Sequence, residues 1–405
     1  MRWLSFFGPA GIALLVSGCA REAPPPPATT RDSADVQIVE HLRNDGPPTW
    51  SLLEPPEAVI GVESQGPAHQ LTQVVGAVRL SDGRIVVGDR VTKEARYFDA
   101  SGGHLTTVGG GGEGPGEMRN LYAVDRIVGD TLVLGGWPIG SRYWFDTEGA
   151  HIKSEVLGPW FPGLLGRTLP DGSLLLDTYP QGSHGNTLET WAAQGEEDIF
   201  RPTGVIELVS RDGSQMDTLG PMYAEEWLKI GQLRQNFAMH ARPFQWRTQV
   251  AWSRDVVFVG EMNRAEIRSY DRDGVLLRVL RWVPPVVQVT PDDQRAFREG
   301  ILTGLRRPEQ TPDYQRWLSQ VQFPDSKPAF EEVIATSEGT LWVKNPSHFG
   351  SEKERWTVYG PDGVTAATLD LPVGLRVVYV SQDHVLAVWV DELDLEYVRS
   401  YRIRK

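Results

Sequence analysis

The sequence is poor in cysteine, in basic runs and in the short motifs of well-known enzymes. Its 405 residues include one cysteine, Cys19, so the chain can form no internal disulfide and no site with several thiolate ligands. The formal net charge is −13, and a surface of that sign repels nucleic-acid phosphates, which argues against a DNA or RNA partner. A P-loop and a Gly-x-Ser-x-Gly nucleophile elbow are both missing, so neither chemistry is indicated.

A short pattern recurs along the chain in place of such motifs. It consists of an apolar run, a tight turn such as Ser-Asp-Gly, and a second apolar run. The turn indicates a β-hairpin because Asp tolerates the turn geometry and Gly adopts positive φ. Hairpins repeated at regular distance predict a β-propeller. The six copies are residues 78–89, 125–136, 167–178, 250–261, 334–345 and 378–389.

Each hairpin is followed by two further strand-like runs and a proline. Proline cannot continue a central strand and therefore suits the crossover between blades. The pattern predicts an all-β fold, a six-bladed β-propeller of four-stranded antiparallel blades. The last blade supplies only three strands, and residues 58–62 form a fourth without a blade. We therefore expect this N-terminal strand to close the ring by pairing near residues 395–404, which removes two exposed edges.

Two regions interrupt the repeat and are expected to cap one face or side of the ring. A small helical insert is predicted near residues 290–320, where Thr290 is followed by Pro291 at the first helical position. Residues 223–240 are predicted to form a further helix, in addition to two in the insert, or a long loop.

The N-terminal region reads as an export and anchoring segment. Residues 1–18 carry Arg2 and then an apolar stretch, which predicts a signal peptide. Residues 16–19, Val-Ser-Gly-Cys, resemble a bacterial lipobox, and the resemblance implies diacylation of Cys19 and, in a Gram-negative envelope, the outer membrane. The alternative is an ordinary secreted protein with a chance cysteine. Residues 19–35 are proline-rich and predict a solvated tether, which leaves residues 36–405 for the propeller.

The region 36–405 resembles the bacterial six-bladed β-propeller lipoproteins, a group close to NHL-repeat propellers. The resemblance rests on the glycine-rich run at residues 109–117 and on the place of the helical insert. It implies the fold and an envelope location and little about chemistry. The glycine-rich run itself could cradle an anion with its backbone N–H groups or serve as a blade crossover that needs positive φ.

Aligned hairpins place four oxygen-bearing residues at equivalent positions after the second strand. We expect these loops to gather on one face around the central channel, where such oxygens could bind a divalent cation such as calcium, sugar hydroxyls or a cationic group. The resemblance to gluconolactonase-like and NHL-type propellers adds weight to a metal, although Gly136 and Trp389 fill the two remaining positions. The alternative is a set of polar residues that stabilise turns. The four candidate ligand-binding residues are Asp89, Thr178, Glu261 and Asn345.

These features predict a lipid-anchored cell-envelope protein that binds a ligand or another protein rather than an enzyme. A rigid disc that exposes many loops suits recognition, and the partner could be a peptide, a glycan or an envelope protein. The alternative is a metal-dependent hydrolase, lactonase or lyase with its site at the channel mouth, and a third possibility is an assembly subunit. The acidic pairs Glu225-Glu226 and Glu331-Glu332 are expected to be solvated surface residues.

Overall fold

A computed structural model describes residues 28–41, 49–62, 65–137, 140–156, 166–178, 199–232, 236–305 and 311–405. Within these residues nearly all of the regular secondary structure is β. Four short strands come first: β1 (Ala28–Ser33), β2 (Val36–His41), β3 (Thr49–Leu52) and β4 (Ala58–Ile60). A 3-10 turn at Pro67–His69 precedes the first blade.

Three four-stranded antiparallel blades follow. The first contains β5 (Val74–Arg79), β6 (Ile85–Asp89), β7 (Glu94–Phe98) and β8 (His104–Gly109). The second contains β9 (Leu121–Arg126), β10 (Leu132–Gly136), β11 (Ser141–Phe145) and β12 (His151–Val156). The third contains β13 (Gly166–Thr168), β14 (Leu174–Thr178), β16 (Thr203–Val209) and β17 (Met216–Tyr223); β15 (Ile199–Phe200) lies between β14 and β16 in the chain and belongs to another sheet.

The rest of the chain completes the ring. A three-stranded sheet pairs β15 with β18 (Trp227–Gln232) and β19 (Asn236–Ala241). The fourth blade contains β20 (Thr248–Trp252), β21 (Val257–Glu261), β22 (Glu266–Tyr270) and β23 (Leu276–Trp282). Two helices follow, α1 (Pro291–Thr303) and α2 (Thr311–Gln320). The last strands are β24 (Glu332–Ala335), β25 (Leu341–Lys344), β26 (Lys353–Tyr359), β27 (Thr365–Pro372), β28 (Arg376–Val380), β29 (His384–Val390) and β30 (Glu396–Arg404).

The sheets form a propeller-like ring around a central axis. The first strands of neighbouring sheets contact one another: β5 contacts β9, β9 contacts β13, β20 contacts β24, and β28 contacts both β24 and β5. Apolar clusters fill the spaces between sheets; one of them joins the first and second blades and another joins the third and fourth. Burial of these faces against each other is the main stabilising term of the fold.

The sequence prediction of six separate four-stranded blades is wrong. The described residues form four separate blades, the three-stranded β15–β18–β19 sheet and one nine-stranded sheet. The reason is β3, which pairs in parallel with β27 and antiparallel with β30. This inserted strand joins two four-stranded groups edge to edge, β24–β27 on one side and β28–β30 with β4 on the other.

The predicted pairing of the N-terminal strand with the C-terminal strands is confirmed. Ala58, Val59 and Ile60 of β4 pair with Ser400, Arg399 and Val398 of β30. Ala58 and Ile60 are buried in a cluster that also contains Phe98 of the first blade. The strand therefore connects the last sheet to the first.

Part of the predicted tether is folded. Residues 28–33 form β1, which pairs with β2, and β2 adds in parallel to β23 at the outer edge of the fourth blade. The side chains of residues 29–35 are exposed, so the polar composition that suggested a tether is that of an edge strand. The buried His41 reaches the next sheet, where its Nε2 lies 2.8 Å from the carbonyl oxygen of Gly363. Residues 1–27, with the predicted signal peptide and Cys19, lie outside the described residues.

The interruptions of the repeat come together in one small layer. The predicted helical insert is confirmed as α1 and α2. The prediction of a helix within residues 223–240 is wrong, because β18 and β19 pair there as a hairpin. Leu228 of that hairpin packs with Trp317 and Leu318 of α2 in a shared apolar cluster. We call α1, α2 and the β15–β18–β19 sheet the cap.

A buried ion pair fixes the cap to the ring. The carboxylate of Asp293 closes the capping box of α1 with Thr290 and lies 2.7 Å from Lys327 Nζ, with both side chains less than a tenth exposed. Lys327 Nζ also donates to the carbonyl oxygen of Ser347 at 2.6 Å. Because Ser347 follows β25, this lysine connects α1 to the β24–β27 group.

The glycine-rich run is a crossover between β8 and β9. Gly109, Gly110 and Gly116 have φ of 86°, 111° and 80°. A Cβ at Gly109 would lie 2.9 Å from the carbonyl oxygen of Lys93, so a side chain there would be excluded by both sterics and conformation. The backbone requirement accounts for these three glycines of the run without a ligand.

Candidate functional site

Strand register shows which ends of the strands share a face of the ring. Asp89 at the end of β6 pairs with Val74 at the start of β5, and Glu261 at the end of β21 pairs with Thr248 at the start of β20. Second strands therefore end where first strands begin. We call this side of the ring the entry face.

The four candidate residues from the sequence lie at entry-face ends of strands in four different sheets. Their side chains, however, do not share one direction toward the axis. Alternate residues of a strand point to opposite faces of its sheet, and both faces of a blade pack on neighbouring blades. Ile85 and Val87 of β6 pack in the cluster shared with the last sheet, so Asp89, two residues on, points into that same interface.

Asp89 has a complete set of structural partners. It is fully buried. One carboxylate oxygen accepts a hydrogen bond from the backbone N–H of Thr72 at 2.8 Å, and the other accepts from Val91 and Thr92 at 2.9 and 3.1 Å. Three backbone donors and a buried position are the features of a turn-stabilising carboxylate.

The other three candidates lie apart. Glu261 lines a small cleft between the third and fourth blades, 4.0 Å from Arg264. The amide of Asn345 donates to the hydroxyl of Thr357 at 3.2 Å, and Thr178 ends β14 opposite Val205. Within the described residues no hydrogen bond or ion pair connects any two of the four candidates, and their role in ligand binding stays a prediction.

Asp89 does not fit a calcium ligand. The Asp89 oxygens already accept backbone hydrogen bonds, and a hard cation would need them free. More broadly, the described part of the chain contains no group of three or more His, Cys, Asp or Glu side chains arranged to hold a metal.

A different group of charged residues meets at the entry-face end of the β24–β27 group. Lys344 at the end of β25 pairs in register with Glu332 at the start of β24. Its Nζ lies 2.9 Å from Glu354 and 3.4 Å from Glu331. We call Glu331, Glu332, Lys344 and Glu354 the mouth cluster, because β24 is one of the innermost strands.

The mouth cluster holds three carboxylates around one ammonium group. Burial raises the pKa of Glu332, opposed by the charge of Lys344 and reinforced by that of Glu354. Burial lowers the pKa of Lys344, but the hydrogen bond with Glu354 and the nearby glutamates outweigh it, so the net pKa is raised. No described hydrogen bond or ion pair uses the Glu332 carboxyl, so this group is available to a ligand.

Neighbouring sheets contribute to the same electrostatic environment. Arg247, which precedes β20, and Arg376, which begins β28, both act on Glu332 and favour its charged form. Arg247 is itself paired with Glu225 at 2.5 Å, and Arg376 lies 3.8 Å from Glu396. Three successive sheets therefore present charged residues to one place at the channel mouth.

The sequence prediction that both acidic pairs are solvated is wrong for one member of each. Glu332 is half-buried, and burial raises the pKa of its carboxyl. Glu226 is 15% exposed and pairs with Arg201 and Arg242. The signal for Glu332 was its position: the first residue of an inner strand, opposite the Lys344 that ends the second strand.

Comparison with known proteins identifies fold neighbours only. No family model and no curated protein sequence matches the chain. Similar solved structures include a Bacteroides fragilis protein described as exported, at 12% identity over 91% of this chain and 98% of that one, with a TM-score of 0.45. Regucalcin from Agrobacterium tumefaciens, a calcium-binding protein, is 11% identical over 88% and 96%, with a TM-score of 0.40. A gluconolactonase from Xanthomonas campestris is 12% identical over 89% and 99%, with a TM-score of 0.39.

These neighbours are β-propeller proteins. At such identities the likeness concerns the fold, and nothing that they bind or convert is assigned to this chain by it. Of the helices described, none has the length and apolar character to cross a membrane.

Proposed function

We propose that the protein is an exported, lipid-anchored binding module whose ligand site is the mouth cluster. The observation that carries the proposal is the half-buried Glu332 carboxyl at the channel mouth, without a hydrogen-bond partner among the described residues and with two further carboxylates beside it. Three carboxylates and one lysine leave an excess of negative charge when all are ionised, so the matching ligand group is cationic, such as the ammonium or guanidinium of a basic peptide.

Counting the nine-stranded sheet as two blades supports a six-bladed ring in this proposal. The groups β24–β27 and β28–β30 with β4 are each antiparallel and four-stranded. Their first strands, β24 and β28, contact each other as those of neighbouring blades do elsewhere. The mouth cluster then belongs to the fifth of six blades.

Replacing Glu332 by Gln should weaken binding of a short Lys/Arg peptide about tenfold or more, because one charge-assisted contact in a desolvated site is lost. Isothermal titration with acetyl-Lys-Arg-Lys-amide measures this. The raised pKa also sets the sign of the pH effect. As pH falls through that pKa the carboxyl becomes neutral, so wild-type affinity should fall at a higher pH than an ordinary Glu would give.

The matched control is Glu338→Gln. Glu338 is an exposed residue in the turn between β24 and β25, at the opposite end of the same strand pair. Its replacement should leave affinity and pH dependence unchanged. Equal losses in the two variants, or a Glu332→Gln protein that binds like wild type, would show that the site lies elsewhere.

The alternative function is a hydrolase, lactonase or lyase at the same mouth. Its support is again Glu332, because carboxyl groups with a raised pKa beside a lysine are frequent among catalytic acids. The metal-dependent form of this alternative is tested by metal analysis of the purified protein. A near-stoichiometric divalent metal that survives dialysis would favour the enzyme over the binding module.

The lipid anchor is tested by Cys19→Ala. We expect the variant to remain unprocessed or free of lipid, because Cys19 would be both the acylated residue and the first residue after cleavage. Metabolic labelling with a radioactive fatty acid measures it. Ser17→Ala keeps a small residue before the cleavage point and should be labelled normally. A labelled Cys19→Ala protein would contradict the assignment.

A further inference from the structure

Two large apolar side chains lie exposed on turns at the entry face, beside the mouth cluster. Phe349 belongs to the turn between β25 and β26 and is 57% exposed. Leu393 belongs to the turn between β29 and β30 and is 78% exposed, which no other large apolar side chain of the described residues exceeds. Isolated apolar side chains are normal on a soluble surface, so a role for these two depends on their surroundings.

The Phe349 turn is closed by its backbone and attached to the mouth cluster. The N–H of Ser351 donates to the carbonyl oxygen of His348 at 3.2 Å, which places Phe349 at the tip of a tight turn. Two residues before Phe349, the N–H of Ser347 donates to the carboxylate of Glu331 at 3.4 Å. The exposed ring therefore lies a short distance along the chain from a carboxylate of the mouth.

The Leu393 turn is held by a carboxylate. One oxygen of Asp391 accepts hydrogen bonds from the backbone N–H groups of Leu393 and Leu395 at 2.8 and 2.9 Å. The first blade repeats this arrangement, because Asp89 accepts from the N–H of Val91, a residue that is 53% exposed. A side chain presented on a braced turn requires little ordering when a partner binds, and less ordering means a smaller entropic cost.

The Leu393 turn is connected to the mouth cluster as well. Glu396, which begins β30 shortly after the turn, lies 3.8 Å from the guanidinium of Arg376. The charge of Arg376 acts on Glu332, and β28, which Arg376 begins, contacts β24. Phe349 and Leu393 therefore lie on the two strand groups whose first strands meet at the mouth cluster.

The charge around Leu393 indicates the kind of partner. Residues 391–396 contain four carboxylates and no cationic side chain. Glu392 and Asp394, the neighbours of Leu393, are exposed, and none of the ion pairs of the described residues uses them. An apolar side chain between carboxylates complements an apolar group next to Lys or Arg, whereas an acidic segment or an anionic lipid surface would be repelled.

In the fourth blade, a segment of the chain itself covers the corresponding turn. Met262, in the turn between β21 and β22, is 7% exposed. The N–H of Ala329 donates to its carbonyl oxygen at 2.7 Å, and Phe330 packs with it in one apolar cluster. A turn of this face therefore accepts a short chain segment with an apolar side chain, and the exposed Phe349 and Leu393 turns leave room for such a segment from another molecule.

We propose that the Phe349 and Leu393 turns extend the mouth cluster into a site for a basic peptide segment with large apolar side chains on both sides of its Lys/Arg residues. The inference rests on the proposed function, in which the mouth cluster binds the cationic group, and it adds the apolar half of the ligand. The carboxylates of the mouth and of residues 391–396 attract the basic residues, and contact with Phe349 and Leu393 removes the flanking side chains from water.

Three nonapeptides test the proposal by isothermal titration on the full-length protein at fixed ionic strength. The leucine peptide is acetyl-Leu-Leu-Ser-Lys-Arg-Lys-Ser-Leu-Leu-amide, which spans about 30 Å when extended. The serine peptide has Ser at the four Leu positions, and the acidic peptide has Glu at the three basic positions. We expect the serine peptide to bind about tenfold more weakly than the leucine peptide, because it buries less apolar area. We expect no binding of the acidic peptide.

The variant that tests the surface combines Phe349→Ser with Leu393→Ser. Both side chains are exposed, so the change should leave folding intact. It should reduce the affinity for the leucine peptide to that for the serine peptide, which itself should not change. The matched control is Val128→Ser, because Val128 is 65% exposed in the turn between β9 and β10, at the opposite face of the ring. This control should keep the full preference for leucine.

Four results would overturn the inference: equal affinity for the leucine and serine peptides, a preference that survives in the double variant, equal binding of the acidic peptide, or an equal loss in Val128→Ser. Self-association of the protein that the double variant abolishes would also overturn it, because the surface would then belong to contacts between two copies of the chain. Sedimentation velocity over a range of protein concentrations measures that association.

Glu332→Gln separates this inference from the proposed function. If the leucine and serine peptides bind alike and both weaken in Glu332→Gln, the mouth cluster stands as the binding site and the apolar extension falls. If the preference for leucine is lost in the double variant and Glu332→Gln has no effect, the apolar surface stands and the mouth cluster falls. Absence of binding by all three peptides would remove both.

Discussion

Removing Ala58–Ile60 should lower the melting temperature by roughly 10 °C or more. The deletion strips β30 of an antiparallel partner and opens a cluster in which Ile60 is fully buried against the first blade. Loss of a buried Ile side chain alone costs about 2–5 kcal/mol, and the lost ladder adds unpaired backbone groups at two sheet edges. Differential scanning calorimetry at a fixed scan rate measures the change.

The matched control removes Ala28–Ser33. This strand is longer than β4, but five of its six side chains are exposed, and it covers only the outer edge of β2. Its deletion should lower the melting temperature by a few degrees at most. If both deletions have equal effects, β4 does not close the ring in solution.

Replacing Lys327 by Met should destabilise the fold by about 3–5 kcal/mol, the usual cost of removing one partner of a buried pair. Methionine keeps the apolar stem beside Phe244, over whose ring the lysine Nζ lies at 5.0 Å, and it leaves the carboxylate of Asp293 buried without its cation. Urea unfolding measures the free energy. Arg295→Met is the control: its pair with Asp292 is more than half exposed on both sides and should contribute about 0–1 kcal/mol.

The same pair gives the fold an acid sensitivity of known sign. Burial raises the pKa of Asp293, but hydrogen bonds from Lys327 and Thr290 outweigh it and hold the pKa below its ordinary value. A depressed folded-state pKa stabilises above the unfolded-state pKa and is lost as pH falls through the folded one. Wild type should therefore lose more stability than Lys327→Met between neutral and acidic pH. A parallel acid response in the two proteins would contradict this role of the pair.

Much of the architecture could be predicted from the sequence because its signals are local. The turn glycines at 83, 172 and 339 have positive φ, as the hairpin reading requires. Ring closure could be predicted because a three-strand ending and an orphan strand leave one simple solution. The joining of two blades by β3 could not be predicted, because Thr49–Leu52 is a four-residue segment whose partners lie at the far end of the chain.

The site was harder to predict for a geometric reason. Aligned hairpins correctly identify equivalent positions, but a middle strand directs its side chains at neighbouring blades and not at the axis. Asp89 therefore enters an interface, whereas Glu332, on a first strand, reaches the channel mouth. The charges that act on Glu332 come from three successive sheets, and no local pattern around residues 331–332 contains that information.

Strands near the start of the chain pair with strands that are synthesised last. His41 bonds to a residue 322 positions later, and Ser51 to one 353 positions later. Strands β3 and β4 have no sheet to join until the C-terminal strands have been made, and β2 has none until β23 has been made. Contacts of such long sequence separation form slowly. A chain of this topology therefore keeps the junction between its first and last sheets open during synthesis, until the C-terminal strands have been made.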